Sequence, residues 1–255
     1  LRMGTVGLVA QSFGRGEFRE IVRTILRNLL LAVFISLIII ILKPLIVSLI
    51  SNFFPTSTET QNLINTYISI RIFSVPAELI IYILIGFYLG IQKTNISSLL
   101  VITLSVLNVL FSSFFVLSLG LEVPGVALGT LIASLITVTI FLTYTYRYII
   151  KKFQIIPKFE KVFEPKKLIK LFNVNLDIFI RTLFLTFSFL WITFLGSKMG
   201  EDYLAVNTIL MQFIILSAFF LDAYAFSTEG IIGFSLGRRN KKSFLSIVNN
   251  SIQIS

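Results

Sequence analysis

Four acidic residues lie inside long apolar stretches of this sequence, where ionisable side chains are rare. They are Glu78, Asp177, Asp222 and Glu229. A carboxyl group inside a membrane can bind and release a proton or Na⁺, and the change of charge alters the contacts between helices. These four residues are therefore the candidates for coupling an ion gradient to a conformational change.

Asp222 and Glu229 are seven residues apart, so a helix carries them on one face. Asp222 is about 22 Å of helix from Gly237, near the middle of a membrane, and an unpaired carboxylate is costly at that depth. We therefore expect Asp222 to change protonation or to bind Na⁺, with Glu229 in support.

Asp177 and Arg181 have the i,i+4 spacing at which an acid followed by a base pairs along a helix. The pattern predicts an ion pair, as a permanent clamp or as a switch. Glu78 follows Arg71 by seven residues and lies in the middle of its apolar stretch.

Weaker polar signals accompany the acids. Asn207 and Gln212 begin the apolar stretch of Asp222 and could form hydrogen bonds to neighbouring helices. Pro76, Gly86 and Gly90 predict either bends or close helix packing.

Other chemistry is excluded by composition. The chain has no Cys and no His, which removes thiolate nucleophiles, imidazole bases and most transition-metal sites. It has no glycine-rich phosphate loop, so ATP is not the expected source of energy. We expect no cofactor and no metal ion other than Na⁺. The expected coupling ion is H⁺ or Na⁺.

The elements that position the acids are membrane helices. Apolar residues make up 56% of the 255 residues and the mean hydropathy is +0.92, beyond the range of soluble domains. Residues 1–12 and 242–255 resemble parts of further helices, so the chain is interpreted as a fragment that lacks both ends. Six apolar segments are long enough to span a membrane: 24–51, 63–91, 97–119, 125–147, 169–196 and 203–236.

Charge placement predicts the orientation. Of the 22 Lys and Arg residues, 17 lie between alternate pairs of apolar segments, whereas the intervening turns are acidic. The positive-inside rule then predicts a multi-pass protein of the plasma (inner) membrane. Because the bases alternate with spanning helices, nucleic acid is not an expected partner, whereas membrane lipid is. The predicted cytoplasmic loops are 13–23, 91–96, 148–168 and 237–242.

One segment occurs twice. Residues 5–17 and 228–240, which are 223 residues apart, share Thr, Gly, Ser, Gly and Arg at equivalent positions. Six helices lie between the copies, so the halves have parallel orientation about an axis along the membrane normal, as in many secondary transporters. Gly14 and Gly237 are predicted to be helix C-caps with positive φ. The predicted division is an N-terminal bundle at 1–147, a linker at 148–168 and a C-terminal bundle at 169–255.

The sequence resembles the multidrug and toxic compound extrusion (MATE) family. The resemblance is carried by RMGTVGLVAQSFGRGE at 2–17, RIFSVPA at 71–77, GFYLGIQ at 86–92 and GVALGT at 125–130. The later stretches DIFIR at 177–181, AVN at 205–207 and LDAYA at 221–225, with Glu229 and Gly230, are similar to the DinF-like branch.

The resemblance implies an all-α membrane protein with two parallel six-helix bundles, of which this chain runs from the end of helix 2 to the start of helix 9. It also implies a monomer that exports small organic compounds, drug-like and cationic or amphipathic, in exchange for H⁺ or Na⁺ by alternating access. Ser112 and Ser134 stand where the family often has acids, so an ion site at those positions is not expected here.

Three alternatives remain open. A lipid or oligosaccharide flippase of related two-bundle architecture would be expected to have a cationic central cavity, for which Arg71 and Arg181 are the main buried candidates. A membrane-embedded enzyme would be expected to show His or an acidic cluster at one rim. A passive channel would be expected to carry rings of pore-lining charge.

Overall fold

The structure, a computed structural model, is a bundle of α-helices. It describes residues 1–53, 58–157 and 162–254, and no β-strand occurs among these residues. The helices are α1 (Arg2–Gly14), α2 (Phe18–Ile41), α3 (Lys43–Phe53), α4 (Thr58–Arg71), α5 (Val75–Gly90), α6 (Thr94–Ser113), α7 (Glu122–Tyr148), α8 (Pro165–Met199), α9 (Glu201–Gly237) and α10 (Lys241–Ile254).

The predicted all-α membrane fold is confirmed. Six helical stretches within the described residues are long and apolar enough to cross a membrane, and they match the six predicted segments in order. These stretches are Phe18–Ile41, Gln61–Gly90, Thr94–Ser118, Glu122–Phe153, Pro165–Gly196 and Ala205–Gly237.

Two of the predicted segments are interrupted next to a proline. The first, predicted at 24–51, divides at Leu42 into α2 and α3, because Pro44 cannot donate the helical hydrogen bond. The second carries a 3₁₀ turn at Ile72–Ser74, and Pro76 then lies in the first turn of α5, where no N–H is needed. The regular α-helical hydrogen bonding is therefore interrupted just before Pro76.

The short helix α1 is at the centre of the fold, between α5 on one side and α9 on the other. Gly86 and Gly90 let α5 approach it: a Cβ on either would lie 2.7 Å from α1, at the carbonyl of Arg2 or at Val9. These two glycines therefore serve close packing, the second of the two predicted roles. On the far side of α5, the buried Tyr88 hydroxyl is 2.7 Å from the Thr145 hydroxyl of α7.

The repeated segments end their helices in the same way. The amides of Arg15, Gly16 and Glu17 donate to the carbonyls of Gln11, Phe13 and Ser12 at 2.9–3.1 Å. The equivalent amides of Arg238, Arg239 and Asn240 donate to Phe234, Leu236 and Ser235 at 3.0–3.2 Å. Both ends are thus Schellman motifs, so the sequence repeat is also a structural one.

The predicted positive φ at Gly14 and Gly237 is wrong. The left-handed residues are two residues further on, at Gly16 (φ 73°) and Arg239 (φ 54°). The Schellman motif places its left-handed residue after the last helical residues, and Gly14 and Gly237 still belong to their helices.

Gly14 and Gly237 are instead the point at which α1 and α9 cross. A Cβ on Gly14 would collide with the carbonyl of Phe234, and a Cβ on Gly237 would collide with the carbonyl of Gln11. Phe234 is the repeat equivalent of Gln11, so the two contacts are reciprocal. Reciprocal contacts between equivalent residues are the signature of a two-fold axis through an interface.

The four basic loops lie at one end of the bundle, as the charge pattern predicts. Ile91 and Ile149 belong to one buried cluster with Val9, and the rings of Phe18 and Phe153 stack with centres 4.8 Å apart. The glycine crossing brings the remaining two loops side by side. We call this the basic end; its described loops are 15–17, 91–93, 149–157 and 238–240.

The predicted linker at 148–168 is only partly described. Its first residues form a π-helical turn at Ile149–Phe153, and α8 already begins at Pro165. Residues 158–161 lie outside the described residues, as do 54–57 of the opposite turn at 52–62. The division into bundles at 1–147 and 169–255 stays a prediction.

We predict that Gly14→Ala and Gly237→Ala each lower the free energy of unfolding by about 1–3 kcal/mol, because a methyl group at the crossing overlaps backbone atoms. The measurement is thermal unfolding in detergent, followed by circular dichroism. Gly16→Asn is the control, since that position has open space within 4 Å and Asn tolerates a positive φ. Variants at Gly14 and Gly237 that unfold at the parent temperature would contradict the close crossing.

Candidate functional site

Two of the four predicted acids lie on the part of α9 that faces α1. Asp222, Phe226 and Glu229 are spaced i, i+4 and i+7, which places them on one face. The guanidinium carbon of Arg2 is 3.6 Å from the centre of the Phe226 ring, a cation–π contact. The charges of Asp222 and Glu229 both act on Arg2. One base of α1 therefore interacts with two acids of α9.

The two acids differ in burial. Glu229 is half-buried, and its Oε1 is 3.8 Å from where a Cβ of Gly7 would be. The following residue, Gly230, lies against the carbonyl of Leu89 in α5. Glu229 thus lies where α1, α5 and α9 meet, whereas Asp222 is exposed. The expectation that Asp222 is the most deeply placed acid holds along the helix but not for burial, because Asp222 lies one turn before the stretch of α9 against which α1 packs in the described structure.

No group of three or more acidic side chains able to hold a metal ion occurs among the residues that the structure describes. A Na⁺ ion at Asp222 would therefore need ligands other than a carboxylate cluster, such as backbone carbonyls or water. The binding of Na⁺ at this position stays a prediction.

Arg2 is the residue of this site that the sequence analysis did not select. A signal was present in the repeat. Equivalent residues meet across the crossing, as Gly14 meets Gly237 and Ala10 meets Gly233. The repeat equivalent of Arg2 is Ala225, so the same rule places Arg2 beside Phe226 and between the two acids.

Glu78 belongs to a separate cluster with Arg71. The Arg71 guanidinium donates to both the Glu78 carboxylate and the Ser74 hydroxyl, and this hydroxyl is 2.9 Å from Glu78 Oε1. The cluster bridges the 3₁₀ turn between α4 and α5. Glu78 is eight residues, or about 12 Å of helix, from Gly86, where α5 meets Arg2. The two groups of acids are therefore not brought together.

The predicted ion pair between Asp177 and Arg181 is wrong. Both side chains are exposed, and among the described residues no ion pair joins them. The reason is the rotation of α8. Its Asn175 faces α1, with Oδ1 2.8 Å from where a Cβ of Gly4 would be. Two and six residues further on, a helix turns by about 200° and 240°, so Asp177 and Arg181 lie on the face of α8 that is turned away from α1.

The two amide candidates lie in different environments. Asn207 of α9 packs on α8, with Nδ2 3.4 Å from where a Cβ of Gly196 would be. Gln212 is exposed. Asn207 therefore lies at a contact between helices, while Gln212 does not, and the functional role of each stays a prediction.

We predict that Arg71 and Glu78 stabilise the turn between α4 and α5 through a favourable coupling of about 1–2 kcal/mol, because both groups are mostly buried and share Ser74. The measurement is a double-mutant cycle of Arg71→Ala and Glu78→Ala in thermal unfolding. Arg15 and Glu17, an exposed pair 2.9 Å apart, form the control cycle, with an expected coupling near zero. Equal couplings in the two cycles would contradict a role for Arg71 and Glu78 beyond that of a surface pair.

Comparison with known proteins links this arrangement to one family. The MatE family model matches residues 1–114. The chain is similar to the DNA damage-inducible protein F of Escherichia coli K12, with 32% identity over 247 residues. The match covers 97% of this chain and 54% of that protein, so the chain spans about half the length of the relative.

Solved structures share the fold. An outward-facing conformation of a multidrug resistance MATE transporter of the MOP superfamily matches with a TM-score of 0.84 and 18% identity, over 99% of this chain and 56% of the other. A MATE structure in complex with MaD5 matches with a TM-score of 0.85 and 20% identity, over 99% and 57%. A MOP superfamily transporter of Pyrococcus furiosus, described as having a binding pocket of reversed polarity, matches with a TM-score of 0.84 and 18% identity, over 99% and 56%. The family model over residues 1–114, the similarity along almost the whole chain and the shared fold agree, and all three make the chain similar to the MATE family.

Proposed function

We propose that the chain is part of a secondary active transporter that exports organic compounds in exchange for H⁺ or Na⁺. The observation that carries this proposal is the position of Arg2 of α1 over the Phe226 ring of α9, on the face that also carries the acids Asp222 and Glu229. These helices carry the two copies of the repeat. If an ion binds to an acid between these two helices, it changes the attraction between them. An ion gradient can then shift their relative position.

The coupling follows from the change of charge. When Asp222 and Glu229 are ionised, they attract Arg2 and hold α9 against α1. When a proton or Na⁺ neutralises Glu229, the attraction weakens while the guanidinium keeps its charge. The bound ion thus favours separation of α1 from α9, and its release favours their contact. This difference between two states is the requirement for alternating access.

The balance of charge supports a cationic or amphipathic substrate. Two acids face one base at the contact, so the local charge is negative when both are ionised. The same side of α9 carries apolar rings, since Phe219 lies one turn before Asp222 and is exposed, and Phe226 lies one turn after it. An organic cation combines the positive charge and the apolar surface that fit this face. Pocket polarity differs among proteins of this fold, as in the P. furiosus structure, so charge is the property to test.

The flippase alternative is less favoured. It would be expected to present several bases to an anionic lipid-linked substrate, but Arg181 is on the face of α8 that is turned away from α1 and Arg71 is paired with Glu78. Similarity to a family of transporters argues against the membrane-embedded enzyme. Uphill transport would exclude the passive channel.

The setting is part of the same proposal. We infer a monomer in the plasma (inner) membrane whose basic end faces the cytoplasm, because the positive-inside rule assigns the basic loops to that side. The bundles at 1–147 and 169–255 are then joined on the cytoplasmic side by 148–168, and they close towards the cytoplasm at the glycine crossing.

The test is uptake of a fluorescent organic cation into proteoliposomes under an imposed pH gradient or, separately, an imposed Na⁺ gradient. We predict that Glu229→Gln and Asp222→Asn each lower gradient-driven transport by about tenfold or more, because neither side chain can change its charge. Binding of the same cation at neutral pH, measured by fluorescence polarisation, should survive in at least one of them. The gradient that drives the parent protein identifies the coupling ion.

Asp177→Asn is the matched control, since it removes the same charge from the exposed face of α8. We expect it to transport and unfold like the parent. If Asp222→Asn and Glu229→Gln transport with the parent pH dependence while Asp177→Asn does not, then coupling depends on α8 and the proposed role of the α1–α9 contact is wrong.

A further inference from the structure

A cavity of about 810 Å³ opens at the basic end, away from the contact of Arg2 with the acids. It lies between the start of α2, the chain after α7 and the start of α8. Six bases and two acids line it, so the lining has four more positive than negative charges. The acids are Glu17 and Glu20, and the bases are Arg15, Arg19, Arg23, Arg27, Lys167 and Lys170.

The innermost charges form a structural network. The Arg27 guanidinium donates to Glu20 at 2.7 Å and to the carbonyl of Val162 at 2.8 Å, and its side chain is 3% exposed. Lys167 of α8 donates to the other oxygen of Glu20 at 2.8 Å. The charge of Glu20 is therefore shared by two bases, and Arg27 and Lys167 fix the end of the linker and the start of α8 to α2.

The outer bases are left with little compensation. Arg23 is 3.8 Å from Glu20, at the limit of an ion pair. Arg19 and Lys170 are exposed, and neither has an ion pair with an acid in the described part of the chain. Apolar surface lies beside them, where the stacked rings of Phe18 and Phe153 line the same cavity.

Topology alone does not account for this cluster. Lys242 is the repeat equivalent of Arg19 and satisfies the positive-inside rule equally well. The equivalents of Glu20, Arg23 and Arg27 are Ser243, Ser246 and Asn250, which carry no charge. The network of ion pairs therefore exists in one copy only, at the place where the linker joins α8.

We propose that this cavity binds a phosphate group, with Arg19, Arg23 and Lys170 as its ligands. Arginine offers a planar fork of donors that matches phosphate oxygens, and lysine adds a mobile charge. The phosphate can come from the headgroup of an anionic phospholipid or from a free anion in the cytoplasm. The aromatic surface beside the bases and the position at the membrane boundary favour the lipid.

The test is binding of phosphatidylglycerol to the intact protein. The protein is placed in nanodiscs of phosphatidylcholine with increasing fractions of phosphatidylglycerol, and retained lipids are counted by native mass spectrometry. We expect one retained phosphatidylglycerol and a higher unfolding temperature than in pure phosphatidylcholine. Arg19→Gln with Lys170→Gln should weaken this binding roughly 30-fold, which is about fivefold for each charge removed.

Lys241→Gln with Lys242→Gln is the matched control, because it removes two exposed bases from the second copy, outside the cavity. It should retain the lipid. Arg19→Lys with Lys170→Arg keeps both charges and should bind within a few-fold of the parent. If Arg19→Gln with Lys170→Gln does not fold, Lys170→Gln alone, which leaves the innermost network intact, takes its place.

Inorganic phosphate in phosphatidylcholine nanodiscs distinguishes the two sources. If phosphate at constant ionic strength raises the unfolding temperature of the parent, and the variant lacking both charges loses this effect, the site takes a free anion. If neither phosphatidylglycerol nor inorganic phosphate has an effect on the parent protein, there is no phosphate site. Equal losses in the cavity variant and in the Lys241 and Lys242 control would also overturn the proposal, since they would show a response to net charge alone.

Discussion

The close approach of α1 and α9 at Gly14 and Gly237 is the constraint on which the rest of the structure depends. Each glycine faces backbone atoms of the other helix, so the two helices touch without intervening side chains. This approach fixes the height of α1 along α9, and it thereby places Arg2 over Phe226 and beside Asp222 and Glu229. In a membrane, where apolar side chains gain little by leaving lipid, such close packing is a main source of association between helices.

Two different interactions join the helices before the linker to the helices after it at the basic end. The glycine crossing is steric and has no charge, whereas the network of Glu20, Arg27 and Lys167 is ionic and joins α2 to the start of α8. A motion that opens this end must separate the helices at the glycine crossing. It must also either break the ion pairs of Glu20 or move α2 together with the start of α8. Arg27 is buried and also donates to the carbonyl of Val162. Because separating these groups would leave a buried charge without its partners, we expect the end of the linker to move together with α2. We therefore expect α8 to bend or rotate above Lys167 when the end opens.

The sequence was sufficient for the helices but not for their rotation. Hydropathy located the six spans, and the alternation of charge placed the basic loops at one end, because both depend only on the energy of transfer from water to lipid. The repeat predicted that α1 and the end of α9 are equivalent about one axis, but not that they meet. The Asp177–Arg181 spacing made a pair possible, but which face of α8 is buried depends on the contact of Asn175 with Gly4, which no local pattern encodes. Gly14 likewise follows an apolar helix and precedes a turn, as a cap does, and only the neighbouring helix shows that packing requires it.

The repeat also explains how a symmetric scaffold acquires a directional contact. The backbones of the two copies end in the same motif and meet reciprocally, so any side chain near the axis faces the neighbourhood of its own equivalent. At two equivalent pairs the residues differ in charge: Arg2 corresponds to Ala225, and Val6 corresponds to Glu229. The base is thus present only in the first copy and the acid only in the second. Had both copies kept the same residue, equal charges would have met across the axis and repelled each other. Divergence of the copies at these positions therefore adds an electrostatic attraction to the steric contact between equivalent residues.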